Sequence, residues 1–288
     1  MIDQAINIKT KPSLNELIQK AVDLPVLPVT AQKVLSLMSD PDVSIEKIKK
    51  LISGDPGLAT RLLKVANSAF YGGYRDIQNL TQAILRLGLT SVRNIVLATS
   101  MKNVYKRFGL TEKLLWEQLI GSAIASSTIA RQTRRADPED AFVGGLLHDV
   151  GMVIMNNEYP DEFAKVTEHI YNEAMGFSEA EAQVFDFSHR SVGAIVVKKW
   201  GFPENLEQLV KNFDNADYVN KDRNVFNMVT IIALADLLCQ KFGVGLRKHV
   251  NSDVDFGNLP ESLGLNAERL GELSVKVEQN LKQSLEIY

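Results

Sequence analysis

Apolar residues recur at intervals of three and four along almost the whole chain, and runs of strict alternation bounded by turn signals are scarce. That spacing keeps one side of a helix against a core, so the sequence predicts an all-α, multi-helix protein. Several helix starts are written in side-chain chemistry. Ser13 with Glu16, and Ser178 with Glu181, have the spacing of capping boxes, which satisfy free amides in a first turn. Asp55-Pro56 and Asp137-Pro138 each set a capping carboxylate before a proline whose missing amide costs little there.

Between these marks, LATRLLKVAN (58–67) is amphipathic, and QAILRLG (82–88) closes on Gly88 as a left-handed cap. LPVLP (24–28) reads as an extended connector, because each proline biases the residue before it away from helical geometry. From Thr111 to about Arg135 the pattern lengthens into one long helix, which puts a subdomain boundary near Gly109. Two more helices are predicted beyond Asp217, one running through Asp236 and one from about Asn266 onward.

Composition narrows the function classes. With 288 residues, 45% hydrophobic and 23% charged, the chain can bury one large core or two packed subdomains. A net charge of -3 and a pI near 5.9 do not offer broad phosphate neutralisation, so no nucleic-acid partner is expected. The basic pairs Lys49-Lys50, Arg134-Arg135 and Lys198-Lys199 read as solvated helix faces. Cys239 is the single cysteine, which excludes an internal disulfide and a CxxC site and fits a reducing compartment. The start MIDQAINIKTKPS lacks the pattern of a secretory signal. The most apolar run, 228–239, is interrupted by Asp236 and falls short of the roughly 20 residues a bilayer span needs. The expectation is a cytoplasmic protein with no membrane segment.

The succession LPVLPVTAQKVLSLMSDPDVSIEKIKKLISGDPGLATRLLKVANSAFYGG, then QAILRLGLTSVRNIVLA, LLHDVG (146–151) and SHRSVGAIVVKKWGFPE (188–204), resembles HDOD domains. These are signalling relatives of the HD-type metal-dependent phosphohydrolases, and the likeness covers residues 24–214. It implies a module over 19–214 with an N-terminal helical half (19–110) and an HD-related half from 111. Residues 215–288 would complete the second half and carry Asp236.

The resemblance also implies a metal site to be tested residue by residue. In the hydrolases a histidine on an early helix, an adjacent His-Asp pair and a late aspartate hold the metal, and two-metal relatives add histidines. His148-Asp149 matches the pair, Asp236 in TIIALADLL matches the late carboxylate, and His189 fits one additional histidine. The departures are chemical. Gln118 stands where the first histidine would, and its amide oxygen is a weaker donor than imidazole for transition metals. Phe213-Asp214 lies near the place where relatives often carry paired histidines, and Met152 replaces a lysine suited to a phosphate oxygen.

Two readings of His148, Asp149 and Asp236 stand at this point. They bind one divalent ion (iron, manganese or magnesium), completed by water and Gln118, or they form a metal-free hydrogen-bonded cluster between helices. His189 reads equally as part of that site or as a solvated first-turn residue. The leading expectation is a non-catalytic signal-transduction output or adaptor module, with no catalytic residues and no cofactor, whose groove between the halves takes a signalling protein or a small regulatory ligand. The alternatives are a metal-dependent phosphohydrolase acting on a nucleotide or cyclic dinucleotide, and a structural scaffold without ligand.

Overall fold

The computed structural model describes residues 11–20, 27, 29–37, 44–71, 77–246 and 254–288. Among them the chain is helical with no strand. The N-terminal part comprises α1 (Leu14–Lys20), α2 (Val29–Leu37), α3 (Ile45–Ser53), α4 (Pro56–Ala66) and α5 (Leu80–Met101). There follow α6 (Leu110–Thr133), α7 (Pro138–Leu147), α8 (Val150–Glu158), α9 (Pro160–Glu173), α10 (Phe177–Val184) and α11 (His189–Lys199). The chain then continues through α12 (Glu204–Lys211), α13 (Ala216–Val219), α14 (Arg223–Lys241), α15 (Leu259–Ser262) and α16 (Ala267–Ser284). The predicted connector at 24–28 lies outside the described residues apart from Leu27.

Most of the punctuation works as its chemistry requires. The Ser13 amide donates to Glu16 and the Glu16 amide to the Ser13 hydroxyl, while Asp55 and Asp137 accept from first-turn amides of α4 and α7. Two expectations need correction. Ser178 lies inside α10, which Gly176 precedes as cap, and Glu181 is drawn away to a different partner described below. Gly88 does interrupt the helix with a positive φ of 76°, but its ψ of 162° is not that of a left-handed cap, and a second helical stretch follows at once, so α5 is two helical segments joined at a kink.

A continuous apolar core runs from Leu17 to Tyr288, with α6 at its centre packed against α7, α14 and α16. Two glycines set the distances that matter for function. A Cβ on Gly145 would lie 2.5 Å from the Ser122 carbonyl oxygen, so α7 can approach α6 this closely only without a side chain there. A Cβ on Gly151 would lie 1.8 Å from the His189 carbonyl oxygen, where α8 meets α11 backbone to backbone. These two crossings draw the joint between α7 and α8 against both α6 and the start of α11. Buried polar ties fix the frame: Asn94 of α5 donates to Glu139 of α7, and Asn156 of α8 donates to Glu112 of α6.

Candidate functional site

His148 ends α7 and Asp149 precedes α8, so the pair occupies a joint whose backbone is partly released from helical bonding. The Asp149 backbone carbonyl accepts from the Met152 amide, but its side chain makes no capping bond to α8, which leaves the carboxylate for tertiary partners. Three further elements bring polar side chains to this joint: Gln118 from α6, Asp236 from α14, and His189 with Arg190 from the start of α11. All are buried, with Asp149 and His148 each 1% exposed. The sequence expectation that His189 could be a solvated first-turn residue is corrected, since it is 2% exposed.

The tautomers of both imidazoles follow from their partners. His148 Nδ1 lies 2.8 Å from the Gly145 carbonyl oxygen, which can only accept, so Nδ1 carries a proton. His189 Nδ1 lies 2.9 Å from Glu181, whose carboxylate also accepts the His189 backbone amide at 2.7 Å. Each Nε2 is therefore the ring's remaining site, and neither has a hydrogen-bond partner. His148 Nε2 stands 3.3 Å and His189 Nε2 3.4 Å from the two oxygens of Asp149. An imidazole lone pair facing a carboxylate is repulsive until positive charge intervenes, whether a proton on the ring or a metal ion.

This chain brings one such charge of its own. Arg190 Nη1 donates to Asp149 Oδ1 at 3.2 Å and to the His148 carbonyl oxygen at 3.0 Å. Its guanidinium stacks on Phe213, 4.3 Å from the ring centroid, and its Nε donates to Asp214 at 3.0 Å. The two residues standing near the position of the relatives' paired histidines thus hold an arginine against the central carboxylate. Sequence reading singled out Phe213-Asp214 but missed Arg190 and Glu181. Both flank His189 in space, and the only signal in the sequence was Arg190's place directly after it.

Across the site, the Gln118 side-chain amide donates to Asp236, and Gln240 donates to the other Asp236 oxygen at 3.1 Å. A carboxylate can only accept, so Gln118 turns its NH2 toward Asp236 and its oxygen away. Ligand atoms of His148, Asp149 and Asp236 nevertheless lie within 4.8 Å of one another. That donor set, with Nδ1 protons anchored behind it, fits a single divalent ion. Cys239 is buried nearby, and burial, then the charge of Asp236, push its thiol well up, which disfavours the thiolate a metal would need. Met152 is fully buried in the core and offers nothing to a phosphate. His169 sits apart, paired with Glu173 on α9, and His249 lies outside the described residues.

The HDOD domain family model matches residues 24–216, and the chain belongs to the HDOD family. Its structure is similar to that of an HDOD domain protein of unknown function from Geobacter sulfurreducens, with 27% identity and a TM-score of 0.78 over 95% of this chain and 96% of that one. A protein from Shewanella amazonensis SB2B described as a candidate phosphohydrolase shares the fold, at 20% identity and a TM-score of 0.71 over 94% and 98% of the two chains. An uncharacterized protein from Treponema pallidum (strain Nichols) is 24% identical over 242 residues, 84% of this chain. The chain spans 45% of that relative's length. Among the described residues no helix is long and apolar enough to cross a membrane.

Proposed function

We propose that this HDOD protein is a non-catalytic signal-transduction module in which the former metal centre is closed by the chain's own side chains. The observation that carries this reading is Arg190, held by Phe213 and Asp214 against Asp149. A guanidinium at that carboxylate competes electrostatically with a divalent ion for the same oxygen. Gln118 adds to the closure by donating to Asp236, and Met152 leaves a phosphate without a lysine. The ligand or partner surface is the groove between the N-terminal helices and α11–α12, a cavity of about 730 Å3. Leu27, Gln32 and Leu97 line one side and Trp200, Phe202 and Leu206 the other. Its size and its mixture of aromatic and polar groups suit a small regulatory ligand or a side chain of a signalling protein.

A second reading is favoured by one specific observation, the two buried Nε2 atoms facing Asp149 without hydrogen-bond partners. In that reading His148, Asp149 and Asp236 hold one divalent ion and the protein is a metal-dependent phosphohydrolase. A bound ion would supply Lewis acidity and an acidified water. The chain's own contribution would be orientation of the rings by Gly145 and Glu181.

The deciding experiment measures hydrolysis of bis(p-nitrophenyl) phosphate and of a cyclic dinucleotide with manganese or iron supplied. Wild type is expected to be no faster than a His148→Ala/Asp149→Ala variant. Metal-dependent turnover that disappears in the variant would overturn the non-catalytic reading and establish the second.

A further inference from the structure

We infer that the junction of α6 with α15 and α16 is a binding site for an organic polyphosphate, separate from the buried centre and independent of whether that centre holds metal. A cavity of about 700 Å3 opens there, lined by Arg134, Arg135, Arg269 and Lys276 against a single carboxylate, Glu272. Four cations converge in a chain whose net charge is -3. Several surface cations elsewhere do find carboxylates: Lys113 pairs with Glu117, Arg131 with Glu139 and Lys282 with Glu278. Among the described residues none of the four pocket cations has an ion pair.

Ordinary helix electrostatics accounts for only half of the cluster. Arg134 and Arg135 follow the C-terminus of α6, where the helix dipole favours positive charge. Arg269 lies in the first turn of α16 and Lys276 two turns further on, and the dipole disfavours a cation in that first turn. The backbone adds two observations. Arg134 adopts a left-handed conformation, φ 54°, at a helix end where glycine is the usual occupant. Its neighbour Arg135 has its carbonyl pinned by buried Asn227 at 3.1 Å, and its guanidinium lies over Gly264, 3.3 Å from where a Cβ would stand. A side chain at 264 would crowd Arg135, and φ at Gly264 is +77°.

The chemistry of the lining selects the ligand class. Leu263, Leu265 and Leu273 are buried and give the cavity an apolar floor beneath the cationic rim. A flat apolar body on the leucines with two or more phosphates among the guanidinium groups uses both features, whereas a phosphate alone uses one. Arginine forks match phosphate oxygens in pairs, which favours polyphosphate over carboxylate ligands. The volume falls within the range of about 300–1,000 Å3 occupied by small-molecule sites.

Calorimetric titration of the full chain with ATP, pyrophosphate and adenosine, at low and at high NaCl, tests the site. ATP is expected to bind most tightly, pyrophosphate more weakly and adenosine not at all, with ATP affinity falling as salt rises. An Arg135→Ala/Arg269→Ala variant is expected to lose about tenfold or more in ATP affinity, since charge-assisted hydrogen bonds are removed. Lys276→Ala, on the same wall of α16, gives an independent loss of about threefold. A Lys113→Ala/Lys165→Ala variant carries the same charge change on other helices and is expected to bind ATP as wild type does. No ATP binding, equal binding by the pocket variants, or equal loss in the control would overturn the site. Binding of an oligouridine more tightly than ATP would overturn the small-ligand assignment.

Discussion

Replacing Arg190 with methionine isolates the interaction on which the functional reading rests. Methionine keeps an unbranched stem over the Phe213 ring but removes every donor. The loss has three parts of unequal size. The bond from Nη1 to Asp149 is between a carboxylate 1% exposed and a guanidinium 9% exposed, and breaking such a pair leaves a buried charge without its cation. That alone costs about 3–5 kcal/mol when nothing else adjusts. The His148 carbonyl loses a donor from the same nitrogen, worth about 1 kcal/mol. The Asp214 arm adds nothing countable, because that carboxylate is 60% exposed and water replaces the arginine. Rearrangement of the neighbouring side chains offsets part of these losses, and the net expectation is a loss of about 3 kcal/mol at neutral pH. Urea unfolding of wild type and Arg190→Met, each with EDTA and with manganese, measures it. Wild type should be indifferent to the chelator. The variant, its carboxylate now open, should regain stability with manganese, about 2.7 kcal/mol at a hundredfold excess over the dissociation constant. A variant within about 0.5 kcal/mol of wild type, or a wild type destabilised by EDTA, would refute the claim that arginine occupies the centre.

Three other changes probe the frame around it. Gly151→Ala drives a Cβ into the His189 backbone and should separate α8 from α11, costing about 3 kcal/mol or more by thermal or urea unfolding, with wild-type-like stability as the contrary result. Gln118→His sets an imidazole beside Asp236 and should raise manganese affinity about tenfold in calorimetry, and equal weak binding would show that position 118 does not reach the metal donors. Burial acts to raise the Glu112 pKa, but hydrogen bonds from Asn156, the Gly109 amide and Arg107 outweigh it and hold the carboxyl below its ordinary 4.5. The stability Glu112 contributes is thus fully present above that value and lost as pH falls through the folded one, so the deficit of Glu112→Gln at pH 7 should shrink on acidification. A deficit unchanged between pH 7 and about pH 3 would contradict it.

The all-helical fold was legible because helix periodicity and capping are local properties. Asp55, Asp137 and Asn266 cap the helices they precede through bonds spanning two or three residues, which the sequence carries in full. The run from Thr111 to about Arg135 likewise predicted α6 (Leu110–Thr133) to within two residues, since an uninterrupted apolar period needs no distant partner. His148, Asp149 and Asp236 were found through resemblance, and the tertiary structure brought them together. What local pattern could not give was the choice made by side chains with competing partners. Glu181 had capping-box spacing with Ser178, yet it serves His189, because a buried imidazole and a backbone amide together outweigh one first-turn amide. Arg190 followed a histidine in an ordinary helical stretch, and nothing within a turn of it announced a buried cation. Its role depends on Asp149, 41 residues away, and on Asp214, 24 residues away. The same holds for the cationic pocket, where Arg134-Arg135 is exposed as the sequence reading expected, but only the packing of α16 sets Arg269 and Lys276 beside it. Long-range electrostatics is set by which helix faces meet, and here glycine contacts such as Gly145 on Ser122 and Gly151 on His189 fixed that meeting.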